Sequence, residues 1–293
     1  MPRTAANGIE IEYESFGEKG NPPLLLIMGL GAQMILWDED FCGELASRGF
    51  FVTRFDNRDV GKSTWLRDAG TPDMGALLMA SMTGGAVDAP YTLADMARDA
   101  AGLLDALAIP GAHVVGASMG GMIAQTMAFE LPSRVRSLVS IMSTTGDPAL
   151  PQATPEAMGA VLQPPAATRE SNLQRAVTVF RAIGSPGFPF DEARILDLAG
   201  RSFDRGFHPE GVARQIAAIL ASGNRTERLA SVRVPTVVIH GDADPLVPYE
   251  GGVATAKAIP GAELVTIEGM GHDMPRPAWP RILDAICRAA ARG

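Results

Sequence analysis

The sequence predicts an α/β fold in which a mostly parallel sheet carries helices on both faces and a helical insertion lies over it. Three observations carry that expectation. Strand-like and helix-like runs alternate along the 293-residue chain, the pattern of a parallel sheet with crossover helices. Several strand-like runs are continuously apolar, which suits strands covered on both faces. One long stretch, from about Gly146 to Ser231, holds no convincing strand and reads as helices joined by Pro/Gly-rich turns.

Each element has its own signal. Ile9-Glu10-Ile11-Glu12-Tyr13 alternates with period two, an exposed strand. Leu24 to Met28 is an apolar strand, and Phe50 to Phe55 repeats the pattern. A small insertion runs from Arg67 to Pro90; its Ala76-Leu77-Leu78-Met79-Ala80 run reads either as a short helix at a pocket mouth or as a surface loop. Leu93, Met96, Ala97, Ala100, Leu103, Leu104 and Leu107 recur at helical spacing. His113 to Ala117 is a strand, Met119 to Phe129 a helix and Val135 to Met142 a strand. In the large insertion, helix patterns cover Leu173 to Ile183, Glu192 to Phe203 and Val212 to Leu220, with Gly184-Ser185-Pro186-Gly187 as one of the turns. Thr236 to His240 and Glu263 to Ile267 are the last strands, and Pro280 to Ala290 closes the chain as a helix. The expected organisation is a core domain of residues 1–145 and 232–293 with a cap of residues 146–231.

Composition narrows the function. The net charge of −8 argues against wrapping nucleic acid or an anionic membrane face. Two cysteines, Cys42 and Cys287, cannot make a disulfide framework and are expected to act as small buried hydrophobes. The longest apolar runs fall far short of the roughly 20 residues that span a membrane, and the N-terminus has no signal-peptide pattern, so a soluble cytoplasmic protein is expected.

Chemistry concentrates in three loops. Gly116-Ala117-Ser118-Met119-Gly120 is a G-x-S-x-G pattern, which chance supplies about 0.16 times in a chain of this composition. Its context is more telling: an apolar strand ends at it and a helix begins at once, the sharp turn that exposes a nucleophilic hydroxyl. The hydroxyl needs a base, and there are four histidines. His113 begins the strand that ends at Ser118, about 16 Å away along an extended chain. His240 ends a strand and is expected to order the following turn, and His208 precedes Pro209 in the insertion. That leaves His272 in Glu268-Gly269-Met270-Gly271-His272, a loop able to lay an imidazole over the elbow. The base needs a carboxylate to fix its tautomer. Gly241-Asp242-Ala243-Asp244-Pro245 follows a strand at its carboxyl end, where ligand sites of such sheets gather. Asp244, extended by the following proline, is the favoured acid; Asp242 suits turn amides, and Asp147 is a rival position.

The order Ser118, Asp244, His272 is the order associated with α/β-hydrolases, and the whole chain resembles that superfamily. Leu24 to Gly29, Asp56 to Ser63, the elbow, Gly241 to Pro248 and Gly269 to His272 carry the likeness. Within it, the chain is similar to the aclacinomycin methylesterase group, through Met28-Gly29 where most relatives have His-Gly, the Asp56-Asn57-Arg58-Asp59 loop and Pro189-Phe190-Asp191-Glu192. The resemblance implies an eight-stranded sheet, a structural role for the Asp56 to Ser63 turn, and an oxyanion hole from the backbone N–H groups of Leu30 and Met119. It implies cleavage of carboxylic esters, including methyl esters of polycyclic aromatic compounds, through an acyl-enzyme. No metal or organic cofactor is implied, and the partners expected are a small-molecule ester and, at most, a second copy of the chain.

The same triad starts carbon–carbon hydrolysis, lactone or thioester cleavage and perhydrolysis, and a non-catalytic ligand receptor is the alternative of another class. Relatives that use an aspartate nucleophile, the haloalkane dehalogenases and epoxide hydrolases, are disfavoured by Ser118. Met28, Met34, Met119, Met122, Met270 and Met274 lie in or beside the motif loops, and Met74, Met79 and Met82 in the small insertion. They read either as adaptable walls of an apolar pocket, with Gly29, Met34 and Met270 touching substrate, or as core filling. Phe180, Phe188, Phe190, Phe203 and Phe207 are candidate pocket or hinge residues of the cap.

Overall fold

The structure is a computed structural model that describes residues 1–83, 85–166 and 168–293; the side chains of Leu78, Ser81 and Met82 also lie outside the described set. Its strands are β1 Arg3–Ala6, β2 Ile9–Phe16, β3 Pro23–Ile27, β4 Phe51–Phe55, β5 Ala112–Ala117, β6 Val135–Ile141, β7 Thr236–Gly241 and β8 Glu263–Ile267. They form one eight-stranded sheet in the order β1-β2-β4-β3-β5-β6-β7-β8. β1 with β2 and β2 with β4 run antiparallel, and every other pair is parallel.

The first hairpin was not anticipated. Ala6 pairs with Ile9 across a two-residue turn, with Asn7 at φ 49° and Gly8 at φ 80°. Both central residues need positive φ, which is why Asn-Gly suits this turn.

The helices are α1 Glu39–Ser47, α2 Met74–Thr83, α3 Leu93–Ala106, α4 Met119–Glu130, α5 Pro155–Val161, α6 Arg169–Ile183, α7 Glu192–Arg205, α8 Pro209–Ser222, α9 Thr226–Leu229, α10 Tyr249–Ala258 and α11 Trp279–Ala290. Of the two readings of the small insertion, the helix is observed, as α2. Local chemistry sets several helix starts. Asp38 caps α1, and Thr92 with Asp95 forms a capping box on α3, satisfying amides with no partner inside the helix.

The apolar residues divide into a layer on each face of the sheet. One holds Leu25, Ile27 and Val114 with Leu93, Leu103 and Ile123 of α3 and α4. The other holds Leu24, Leu26 and Val115 with Phe41 of α1 and Ile282 and Ile286 of α11. No described helix is long and apolar enough to cross a membrane.

Between β6 and β7 the described residues form only helices, α5 to α9. They are fastened to the sheet's loops by charge. Arg214 of α8 makes two bonds of 2.8 Å to Asp59, and Arg205 of α7 lies 2.9 Å from Asp56. Gln33 Nε2 donates to the Ser202 and Gly206 carbonyls at 2.7 and 2.8 Å. Asn57 Nδ2 donates to Met28 O at 2.8 Å, and Asp56 Oδ1 accepts from the Met34 amide at 2.8 Å. The charged Asp56 to Ser63 segment therefore acts as a structural turn, joining the β3 loop to the helices above it.

Candidate active site

β5 runs into α4 through the single residue Ser118, held at φ 56° and ψ −122°. A left-handed backbone at a residue with a side chain costs energy and persists only where its surroundings fix it. Here the Ser118 amide donates to Ile141 O at 2.9 Å, and the adjacent turn tolerates only glycine. A Cβ on Gly116 would stand 2.0 Å from Gly120 O, and one on Gly120 would stand 2.1 Å from Ile27 O. The glycines let helix, elbow and β3 close on one another, which leaves the hydroxyl half-buried at the carboxyl end of the sheet.

His272 approaches from the loop after β8. Its Nε2 lies 3.0 Å from Ser118 Oγ, and its Nδ1 lies 2.7 Å from Asp244 Oδ2. Asp244 Oδ1 accepts from the Leu246 and Val247 amides, each at 2.9 Å. Burial acts to raise the Asp244 pKa, but the His272 charge, the nearby His240 imidazole, the hydrogen bond from His272 and the Val247 amide outweigh it. The carboxyl is held well below the ordinary carboxylate range, so it stays ionised. An ionised acceptor places the imidazole proton on Nδ1 and leaves Nε2 to accept from the serine hydroxyl.

The other candidates are accounted for elsewhere. His113 Nδ1 meets Ser137 Oγ at 2.9 Å, and His208 stacks on Trp65 with ring centroids 4.3 Å apart. His240 Nε2 donates to Val247 O at 2.8 Å and so orders the acid's turn. Asp242 accepts from the Gly269 amide at 2.7 Å and steadies the histidine loop. Asp147 turns onto the Ala149 amide at 3.0 Å.

The backbone N–H groups of Leu30 and Met119 have no acceptor among the described residues, whereas the next amide, Gly31, donates to Gln215 Oε1 at 2.8 Å. Gly29 packs against the elbow: a Cβ there would lie 3.1 Å from Ser118 Cβ. Met34 and Met270 correct the expectation that these two touch substrate at a pocket wall. Both expose 0% of their surface, and Met28, Met119 and Met122 are buried as well. Unbranched thioethers fill irregular core gaps, and that is their use here. The space between cap and core is a cavity of about 420 Å³ lined by Gly31, Met74, Phe203, Phe207, Val212 and Ile216, among others.

A further contact was not foreseen. The segment after α6 grips the histidine loop: the His272 amide donates to Ile183 O at 2.7 Å, Gly187 N to Gly269 O at 2.9 Å and Gly271 N to Ser185 Oγ at 2.9 Å. Ser185 Oγ in turn donates to Asp273. Burial raises the Asp273 pKa against the opposing pull of Ser185, His272 and Arg194. The sequence marks Gly184 to Gly187 only as a turn, and nothing local tells which loop it meets. Among the described residues no cluster of His, Cys, Asp or Glu could hold a metal ion.

Comparison with known proteins gives one consistent picture. The alpha/beta hydrolase fold family matches residues 22–185, and a second family, described as TAP-like protein, matches residues 219–278. A rhodomycin D methylesterase from a Streptomyces species is 31% identical, covering 94% of this chain and 92% of its own. The rhodomycin D methylesterase of Streptomyces peucetius is 30% identical with the same coverage, 94% and 92%. Both are in keeping with the resemblance to the aclacinomycin methylesterase group. The crystal structure of an enol-lactonase from Burkholderia xenovorans superposes with a TM-score of 0.75 at 23% identity, covering 99% of this chain and 100% of its own.

Proposed function

The chain belongs to the alpha/beta hydrolase fold family, and on that premise we propose that it is a serine hydrolase that cleaves carboxylic esters through an acyl-enzyme. Ser118, His272 and Asp244 are its triad. The reading is carried by the hydrogen-bonded chain Ser118 Oγ, His272 Nε2, His272 Nδ1, Asp244 Oδ2 at 3.0 and 2.7 Å. Ester cleavage is preferred to carbon–carbon hydrolysis or ligand reception because two relatives, 31% and 30% identical over 94% of the chain, are methylesterases.

Ser118 Oγ attacks the ester carbonyl as His272 Nε2 takes its proton, and the Leu30 and Met119 amides receive the oxyanion. The tetrahedral intermediate collapses to the acyl-serine, and His272 returns the proton to the departing alcohol. Water, deprotonated by the same imidazole, attacks the acyl carbonyl and releases the acid. Asp244 remains ionised throughout and stabilises the imidazolium. Each oxyanion donor is worth about 10²–10³-fold in kcat. The helices of residues 146–231 act as the cap that selects the substrate, with Phe203 and Phe207 in its wall.

The test is hydrolysis of p-nitrophenyl esters from acetate to decanoate by the wild type and by Ser118→Ala. The expected result is turnover of short or medium chains that falls by about 10⁴-fold or more in the variant. Folded wild-type protein that turns over no ester contradicts the reading.

A further inference from the structure

The cavity between cap and core holds polar atoms that the protein leaves without partners. Arg175 and Ser202 line it, and Arg175 Nε and Ser202 Oγ are buried with no hydrogen bond. The arginine stands apart from its neighbours. Of the seven arginines on α6, α7 and α8, six are paired with carboxylates: Arg169 with Asp204, Arg181 with Glu192, Arg194 with Asp38, Arg201 with Glu39, Arg205 with Asp56 and Arg214 with Asp59. Among the described residues Arg175 meets only backbone carbonyls, Val161 O at 2.9 Å and Gln163 O at 3.4 Å, both through Nη2. Burial lowers its pKa and no anion acts to restore it. A guanidinium with its Nε unpaired, on a residue that lines a cavity, is a seat for an anion, and partial burial strengthens the attraction.

The same cavity comes close to the loop that carries Leu30. Gly31 lines it and is one peptide, about 3.8 Å between Cα atoms, from Leu30. The stacked rings of Phe203 and Phe207, 4.9 Å apart, line the same cavity with Val212 and Ile216 of α8. A flat or extended apolar body fits there, with its reacting ester toward Leu30 and a negative group toward Arg175. The volume of about 420 Å³ lies within the range of small-molecule sites.

Resting on the esterase reading above, we propose that this cavity seats the body of the substrate and that Arg175 binds a carboxylate on it. The preferred substrates are then monoesters of dicarboxylic acids with an apolar spacer. With a net charge of −8, the protein as a whole repels such anions, so a dedicated cation is what makes them acceptable.

The probes are the monomethyl ester of 2,6-naphthalenedicarboxylic acid and its uncharged counterpart, methyl 6-methyl-2-naphthoate. The wild type is expected to favour the charged ester in kcat/KM. In Arg175→Met the ratio of charged to uncharged kcat/KM falls at least about tenfold, the scale of one charge-assisted pair, mainly through KM. Arg175→Lys, which keeps the charge, recovers part of the ratio. A ratio unchanged within about twofold in Arg175→Met overturns the proposal, as does a wild type with no preference for the charged ester. Calorimetric binding of the same monoester to Ser118→Ala separates this idea from the esterase reading. Binding that Arg175→Met abolishes supports the carboxylate seat even if no ester is turned over; no binding to the folded Ser118→Ala protein overturns it.

Discussion

Ser118 keeps its positive φ because its neighbours leave it no other conformation. The elbow's tolerance for glycine alone is testable at Gly120, where an added Cβ would meet the Ile27 carbonyl at 2.1 Å. The clash is with backbone, so no side chain can turn aside. Gly120→Ala is expected to cost about 3 kcal/mol or more, a fall in Tm of about 6 °C or more by thermal melting. A variant that melts with the wild type contradicts this account of the turn. Asp244 carries a second test. Its folded carboxyl titrates below the ordinary range, so its ionisation stabilises the fold above that range, and the contribution is lost as pH falls through the folded value. Asp244→Asn is therefore expected to be less stable than the wild type at pH 7, the difference narrowing below about pH 4. Urea unfolding across pH reads this directly, and a difference independent of pH speaks against it. The meeting of Ser118, His272 and Asp244 was legible in the sequence because each lies at a strand's end in a short loop, and because four histidines could be sorted by position. The methionines were not legible. Their spacing along the chain does not distinguish a cavity wall from the core, and Met34 and Met270 proved fully buried.

At the scale of elements, the segment after α6 supports the histidine loop. Ser185 holds both the Gly271 amide and Asp273, so it positions His272 without touching the reacting atoms. Ser185→Ala is expected to lower kcat for an ester about tenfold while KM changes less than about twofold, since it loosens the base and not the pocket. A loss carried by KM instead assigns the segment to substrate binding. This contact joins residues 86 and 88 positions apart, a distance over which propensity and periodicity say nothing. The strands were easier. β3, β5 and β7 announce themselves as apolar runs because both their faces are covered, while the edge strand β8 is half-buried and β1 has no such run and was missed. Its signal was the Asn7-Gly8 turn, not its own composition. α1, α5, α9 and α10 also went unassigned: α1, α5 and α9 span only nine, seven and four residues, and α10, YEGGVATAKA, is rich in small residues with little apolar periodicity.

For the whole molecule, a single sheet with covered faces makes most of the interior inaccessible to reagents. Cys42 is fully buried, and burial pushes its thiol pKa up to about 12; Cys287 is half-buried. Native protein is expected to give no more than one thiol per chain to a disulfide reagent, and two after unfolding in guanidinium. Rapid reaction of both in the native state contradicts the packing around α1. Asp56 and Asp59, whose loop looked like a charged site in the sequence, join the helices between β6 and β7 to the sheet's loops. The central claim is narrower than the fold: one serine carries the acyl group. It is tested most directly by mixing the protein with p-nitrophenyl butyrate, quenching in acid before steady state and mapping the adduct by mass spectrometry. The account predicts a butyryl group on the peptide that contains Ser118, absent in Ser118→Ala; turnover with an adduct elsewhere, or with Ser118→Ala as active as the wild type, contradicts it.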